Sequence, residues 1–361
     1  MERDPILHDF SPLFRQYKSG RVERLAGTAI AAPAPVDPAT GVATKRVVID
    51  PITPVSACLY LPPNLQASSG AVPLLLYFHG GAFCIQSAFS PIYHPHLTAL
   101  AARANLLVVS VDYRLAPEHP LPAAYDDCWA AINWAFSRAD PWLADHGDLC
   151  RVFLAGDSAG ANIAHRMALR AGAEGTGPFE GMALVHPYFW GSEAIVGEGL
   201  WRTLCGGRKG LDEKWIDPAK EEEKAVMRMA CRRVMVCVAE RDMMRARGWA
   251  YSEMLKRSRW GGEVEIMEAK GERHLFHLVG QPVVDSKNID ELIGALVRFF
   301  NGPQKNAAEQ LLLPIMPHFG KFFVQDSGPW AWSGHKYSWL WAPPENTLLQ
   351  KKFCQLPSTV T

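Results

Sequence analysis

The chain lacks a charge surplus: 37 Lys and Arg stand against 37 Asp and Glu in 361 residues. Nucleic acids and anionic membranes draw in basic proteins, so neither is expected as the main partner. It has no run of about 18 apolar residues, so no segment is expected to span a bilayer. Residues 1–17 mix charges with Pro5 and Pro12 and do not resemble a signal peptide. The eight cysteines (58, 84, 128, 150, 205, 231, 237 and 354) never take Cys-x-x-Cys spacing, and no Asn-x-Ser/Thr sequon occurs. Structural zinc is therefore not expected, and a reduced, cytosolic setting is. No Gly-x-Gly-x-x-Gly follows a strand-like run, no Gly-Lys-Ser/Thr loop exists, and His274 and His277 lack the further spacing of a metal site. Dinucleotide, metal and other cofactor chemistry is thus not expected.

What remains is 48% hydrophobic and 20% charged, enough for one large core in a single α/β domain. Short strand-like runs at 47–49 and 58–61 lead, with an antiparallel pairing expected. Near-continuous apolar runs follow at 74–78, 106–111, 152–155, 182–185, 234–239 and 264–267, the character of strands covered on both faces. Helical patterns lie between them at 94–103, 123–138, 159–171, 245–257 and 288–300.

The most informative stretch is Gly156-Asp157-Ser158-Ala159-Gly160, after the apolar run 152–155 and before an alanine-rich helical pattern. Strand, sharp turn, helix is the context a nucleophile elbow requires. Gly156 and Gly160 supply the room, because a Cβ there would collide with a neighbouring strand or helix. The first amides of the following helix point at the serine, so negative charge developing beside it meets N–H groups. A second glycine loop, His79-Gly80-Gly81, ends the strand 74–78. In a hydrolase with this elbow, such a loop supplies the other part of an oxyanion hole. Gly-Gly also marks plain turns; two such loops, each after its own strand and in this order, favour the oxyanion reading.

A serine hydroxyl needs a base and an orienting acid, expected in the order Ser, Asp or Glu, His. The strand 234–239 releases Glu240-Arg241-Asp242, where Asp242 is the preferred acid and Glu240, closer to the strand, its competitor. After 264–267 comes Gly271-Glu272-Arg273-His274-Leu275-Phe276-His277. His274 lies in the loop proper; His277, among Leu275, Phe276 and Leu278, reads as structural.

Together with Asp112-Tyr113-Arg114-Leu115-Ala116-Pro117-Glu118, Tyr188-Phe189-Trp190 and Arg247-Gly248-Trp249, these motifs resemble the plant carboxylesterases. Those enzymes belong to the hormone-sensitive-lipase-like branch of the α/β-hydrolases, and the likeness runs from about residue 6 to 300. It implies an α/β-hydrolase fold, a mostly parallel sheet with helices on both faces and a helical cap. It implies Ser158 as nucleophile, His274 as general base and acid, and Asp242 as its partner. It implies an oxyanion hole from the amides of Gly80, Gly81 and Ala159, and a small-molecule ester as substrate without cofactor or metal. The family often has a third glycine where this chain has Ala82, whose Cβ narrows the acyl entrance. The Asp112–Glu118 run reads as a polar network bracing the elbow.

Residues 1–301 form the expected hydrolase domain. Residues 1–35, which precede the first strand-like run, and 191–233 are expected as the cap, with Phe83, Phe189 and Trp190 lining the acyl pocket. Residues 302–361, beyond the resemblance, are expected as a poorly ordered tail. Two rival functions share the scaffold. A receptor resembling the gibberellin receptors would have lost the catalytic histidine, which is present here; a dehydratase or lyase of specialised metabolism would depart from His-Gly-Gly.

Overall fold

The computed structural model describes residues 4–66, 70–177, 179–190, 198–207, 213–278 and 286–302. In chain order the elements are β1 (Ile6–Phe10), β2 (Phe14–Tyr17), β3 (Val22–Arg24), β4 (Ala43–Asp50), β5 (Val55–Leu61), β6 (Val72–Phe78), α1 (Tyr93–Ala104), β7 (Leu107–Asp112), α2 (Ala123–Phe136), α3 (Pro141–His146), β8 (Gly147–Asp157), α4 (Ala159–Glu174), β9 (Gly181–Val185), α5 (Glu198–Leu204), α6 (Glu223–Met227), β10 (Arg233–Ala239), α7 (Arg245–Arg257), β11 (Glu263–Ala269) and α8 (Ser286–Asn301). Two 3₁₀ turns, Glu213–Trp215 and Pro218–Lys220, lie between α5 and α6.

The main sheet has eight strands in the order β11-β10-β9-β8-β6-β7-β5-β4. β4 pairs antiparallel with β5 and β5 with β7; the other neighbours are parallel. Apolar runs without polar alternation give this result because both faces are covered. Along β6, Val72, Leu74, Leu76 and Phe78 enter one core layer and Leu75 and Tyr77 the other. β10 divides likewise, with Val234, Val236 and Val238 opposite Met235, Cys237 and Ala239. Helices α2, α4 and α7 close the first layer, and α1 and α8 the second. The result is an α/β-hydrolase architecture.

The winding fixes where chemistry can occur. β6 runs on to β7 on one side, while β8 lies on its other side, so the strand order reverses between β6 and β8. In open parallel sheets ligands bind beyond the carboxyl ends of the strands at such a reversal. His79-Gly80-Gly81 leaves β6 and Ser158 leaves β8, with Phe78 in register with Gly156.

One segment departs from the sequence reading. Residues 6–24 are not a lead-in to the first strand but a three-stranded antiparallel sheet, β1-β2-β3. Its strands are three to five residues long, and Ile6 and Leu7 are about half exposed, so no apolar period marks them. Phe14, fully buried, anchors this sheet in the main core. Among the described residues the expected helical cap is therefore helical only in its second part, α5 to α6. The tail beyond 302 lies outside the described residues.

Candidate active site

Ser158 sits on a forced turn between β8 and α4, at φ 51° and ψ −115°. A side chain is held in that sparsely populated region only when its surroundings over-determine it. Here the Ser158 N–H donates to Val185 O at the end of β9, and Ser158 O accepts from Ala161, Asn162 and Tyr188. The flanking glycines are obligatory for a named reason. A Cβ on Gly160 would lie 1.9 Å from Phe78 O, and one on Gly156 2.4 Å from Gly160 C. The helix start therefore rests directly on the end of β6.

Three side chains from three loops converge. His274 Nε2 lies 3.1 Å from Ser158 Oγ, and His274 Nδ1 lies 2.7 Å from Asp242 Oδ2. With Asp242 ionised, Nδ1–H donates to the carboxylate and Nε2 is left to accept the serine proton. Burial alone would raise the Asp242 carboxyl, but the bond and charge of His274 and the Met244 N–H on Oδ1 at 2.8 Å bring it below its ordinary value. Asp242 is buried, whereas the His274 side chain is 30% exposed and reachable by water. Glu240 is elsewhere, accepting the Gly271 N–H at 2.7 Å. His277 packs behind the site against His96 and His186, with ring centroids 4.8 and 5.4 Å apart. Burial keeps it neutral, and His96 likewise, lowered to about 4.

The glycine loop corrects one expectation. The Gly80 N–H is already engaged, 2.9 Å from Tyr93 Oη and 3.1 Å from Asp157 Oδ1, so it cannot serve an oxyanion. The N–H groups of Gly81 and Ala159 have no acceptor among the described residues. Gly80 is instead the hinge of a buried cluster in which Tyr77 and Tyr93 donate to Asp157 at 2.8 and 3.2 Å. A Cβ on Gly80 would strike Asp157 Oδ2 at 2.3 Å. Burial raises the Asp157 carboxyl to about 6, against the pull of its three donors and His274. The Asp112–Glu118 run braces this loop more than the elbow. Tyr113 stacks on His79 at 4.1 Å and donates to its carbonyl at 2.7 Å, and Asp112 accepts from Ser87 Oγ and the Ala88 N–H.

The three expected pocket residues do not act together. Phe83 is fully buried against Tyr125, Tyr188 and Trp201, and the half-buried Trp190 meets Tyr188 and Trp201. Phe189 faces away, packed on His165 of α4 and Tyr251 of α7, and is a core residue. The chain makes a tight turn here, the Phe189 N–H donating to Pro187 O at 2.8 Å. Asn162, in the first turn of α4, ties the region above to the elbow by donating to Trp215 O at 2.8 Å and Tyr188 O at 3.2 Å. His186, directly after β9, accepts the Leu275 N–H on Nδ1 at 3.1 Å. Neither residue is among those that the sequence motifs single out for a role. His186-Pro187, a polar residue at a strand end, was the available signal for the second.

Residues 75–278 match the profile of a family described as having the alpha/beta hydrolase fold. Tuliposide A-converting enzyme 2, chloroplastic, of Tulipa gesneriana is 46% identical over 291 residues, 76% of this chain and 74% of that protein. A protein of Arabidopsis thaliana named probable carboxylesterase 2 is 43% identical over 297 residues, 79% of this chain and 93% of that protein. Among solved structures, an esterase of Pyrobaculum calidifontis superposes with a TM-score of 0.58 at 25% identity, covering 72% of this chain and 84% of that one. DphMB1 superposes with a TM-score of 0.62 at 28% identity, over 75% and 88%.

Proposed function

We propose that this chain, which belongs to the α/β-hydrolase fold family as a plant carboxylesterase-like member, hydrolyses small to medium carboxylic esters through an acyl-enzyme on Ser158. The observation that supports this most is the unbroken relay of two hydrogen bonds, 3.1 Å from Ser158 Oγ to His274 Nε2 and 2.7 Å from His274 Nδ1 to Asp242 Oδ2. Ser158 Oγ attacks the ester carbonyl carbon as Nε2 takes its proton, and Asp242 stabilises the imidazolium that forms. The carbonyl oxygen becomes an alkoxide and is met by the N–H groups of Gly81 and Ala159; each such donor contributes about 10²–10³ in rate. Nε2 returns the proton to the alcohol oxygen as the C–O bond breaks. Water then adds to the acyl-enzyme with His274 again as base, and the carboxylic acid leaves.

The retained His274 favours an enzyme over a receptor, and His79-Gly80-Gly81 favours hydrolysis over elimination. The cytosolic placement belongs with this proposal. The tulip relatives are named for plastid compartments, and the location of a fluorescent fusion of the full chain decides between the two.

The test is Ser158→Ala. We expect kcat for p-nitrophenyl butyrate to fall by on the order of 10⁶ with the fold intact. A fluorophosphonate probe should label the wild-type serine and not this variant. Hydrolysis surviving the substitution would overturn the assignment.

A further inference from the structure

Among the non-glycine residues in left-handed backbone conformations, two are bonded to each other beside the site: His186 at φ 49° and Leu275 at φ 57°. Such conformations are uncommon outside Gly, Asn and Asp, and costly for Leu in particular. They lie 89 positions apart and are joined by one hydrogen bond, from the Leu275 N–H to His186 Nδ1 at 3.1 Å. Leu275 immediately follows His274, so the path of the chain at Leu275 decides where the imidazole of His274 points. His186 is itself fixed from both sides. Its N–H donates to Cys237 O at 2.8 Å, and its ring is enclosed by His274, Phe276 and His277, with centroids 5.4 to 5.6 Å away.

We propose that His186 is a positioning residue: by accepting the Leu275 N–H on Nδ1 it holds the loop after β11 in the backbone turn that sets His274 between Asp242 and Ser158. The inference rests on the triad reading and deepens it. A backbone N–H can only donate, so Nδ1 carries no proton and the neutral ring carries it on Nε2. Burial, reinforced by the charge of His274, lowers His186 to about 3, so it remains an acceptor wherever an esterase works.

That tautomer disposes of the rival use of this ring. Nitrogen or oxygen atoms of His186, Asp242 and His274 lie within 4.8 Å of one another, a grouping able to hold a metal ion. An ion on Nε2 of a neutral imidazole requires the proton on Nδ1, where the Leu275 N–H already points. The same bond that serves the loop works against the ion.

The test uses the full chain with His186→Asn, His186→Gln and His186→Ala. An Asn amide oxygen reaches the place of Nδ1, whereas a Gln amide reaches that of Nε2. Misplacing a catalytic group by about 1 Å costs on the order of 10²-fold, so the Gln and Ala variants should lose about that factor in kcat with KM little changed. The Asn variant should recover most of the loss, and fluorophosphonate labelling rates per folded molecule should follow the same order. Gln performing as well as Asn, or a rise in KM at constant kcat, would overturn the proposal. Should the Ala variant fail to fold, the Asn–Gln comparison still decides. An inactive, unlabelled wild type would bring down the triad reading and this inference together. An active wild type with indifferent His186 variants would bring down this inference alone.

Discussion

Asp157 is a buried carboxylate whose charge the fold disfavours. It is fully buried, and its carboxyl rises from 3.8 to about 6, with burial the dominant cause. The folded protein therefore binds this proton more tightly than the unfolded chain does. The resulting stability is fully present below pH 3.8 and is lost as pH rises through about 6. Over the window it amounts to at most about 3 kcal/mol. Asn stays neutral throughout, so Asp157→Asn should gain on the wild type by up to that amount between pH 4 and pH 7. Urea midpoints of both proteins at pH 4, 5, 6 and 7 measure it. Asp242 titrates in the opposite sense but in both proteins alike, so the difference isolates Asp157; a difference independent of pH would refute the assignment. The same residue explains how far the site could be read from sequence. Ser158, Asp242 and His274 follow from strand ends and chain order. Which amide of the His-Gly-Gly loop is free does not, because the Gly80 N–H is claimed by Asp157 and Tyr93 from other elements. Nor does the pairing of His186 with Leu275, which exists only once both chain segments have turned left-handed.

Among the elements, the six apolar runs read as buried strands all belong to the main sheet; the five inner ones are covered on both faces and advertise it in composition, whereas β11, at the sheet edge, exposes Glu263 and Glu265. β1, β2 and β3 do not advertise themselves, since little of their surface is buried and side-chain anchors hold them. The foremost is Arg24, at the end of β3. Its Nε donates to Cys84 O at 2.8 Å, its Nη2 to Ala116 O at 3.4 Å, and its two Nη atoms grip Glu118 at 2.7 Å each. Further along, the Ala31 N–H donates to Phe89 O at 2.9 Å, so the N-terminal segment runs beside the chain that leaves the glycine loop. The ion pair is the weaker half of this anchor, because Glu118 is 39% exposed and exposed pairs contribute about 0–1 kcal/mol. The carbonyl contacts count for more, since a partly buried acceptor left without its donor costs about 1–3 kcal/mol. Arg24→Met should therefore destabilise by about 1–3 kcal/mol and Glu118→Gln by less than about 1 kcal/mol. Chemical denaturation of the two variants checks the ranking, and equal losses would show that the ion pair carries the anchor.

At the scale of the whole molecule, the question is which stretch of chain completes the enzyme. Among the described residues, the first core layer and the candidate site draw on nothing beyond His277, but the second layer is open until α8 closes it. Leu292, Ile293, Leu296, Phe299 and Phe300 are buried there. Phe299 and Phe300 pack edge-on against Phe153 of β8, and Arg233 donates to Phe299 O at 3.0 Å. Gly181 of β9 is glycine where Phe299 needs the space: a Cβ would lie 2.8 Å from its ring. Burying five such side chains at about 1.5–3 kcal/mol each is worth on the order of 10 kcal/mol, comparable to the net stability of a whole domain. A chain ending at residue 285 should therefore fail to fold, although it contains Ser158, Asp242 and His274. A chain ending at Gly302 keeps both layers and all the residues of the site. It should unfold cooperatively and hydrolyse p-nitrophenyl butyrate with kcat/KM unchanged from the full chain. Circular dichroism melts and steady-state kinetics on the two truncations make the comparison. Loss of activity in the 302-residue chain would mean that the residues beyond α8 take part in the site. Activity in the 285-residue chain would mean that the sheet needs only one of its two covers.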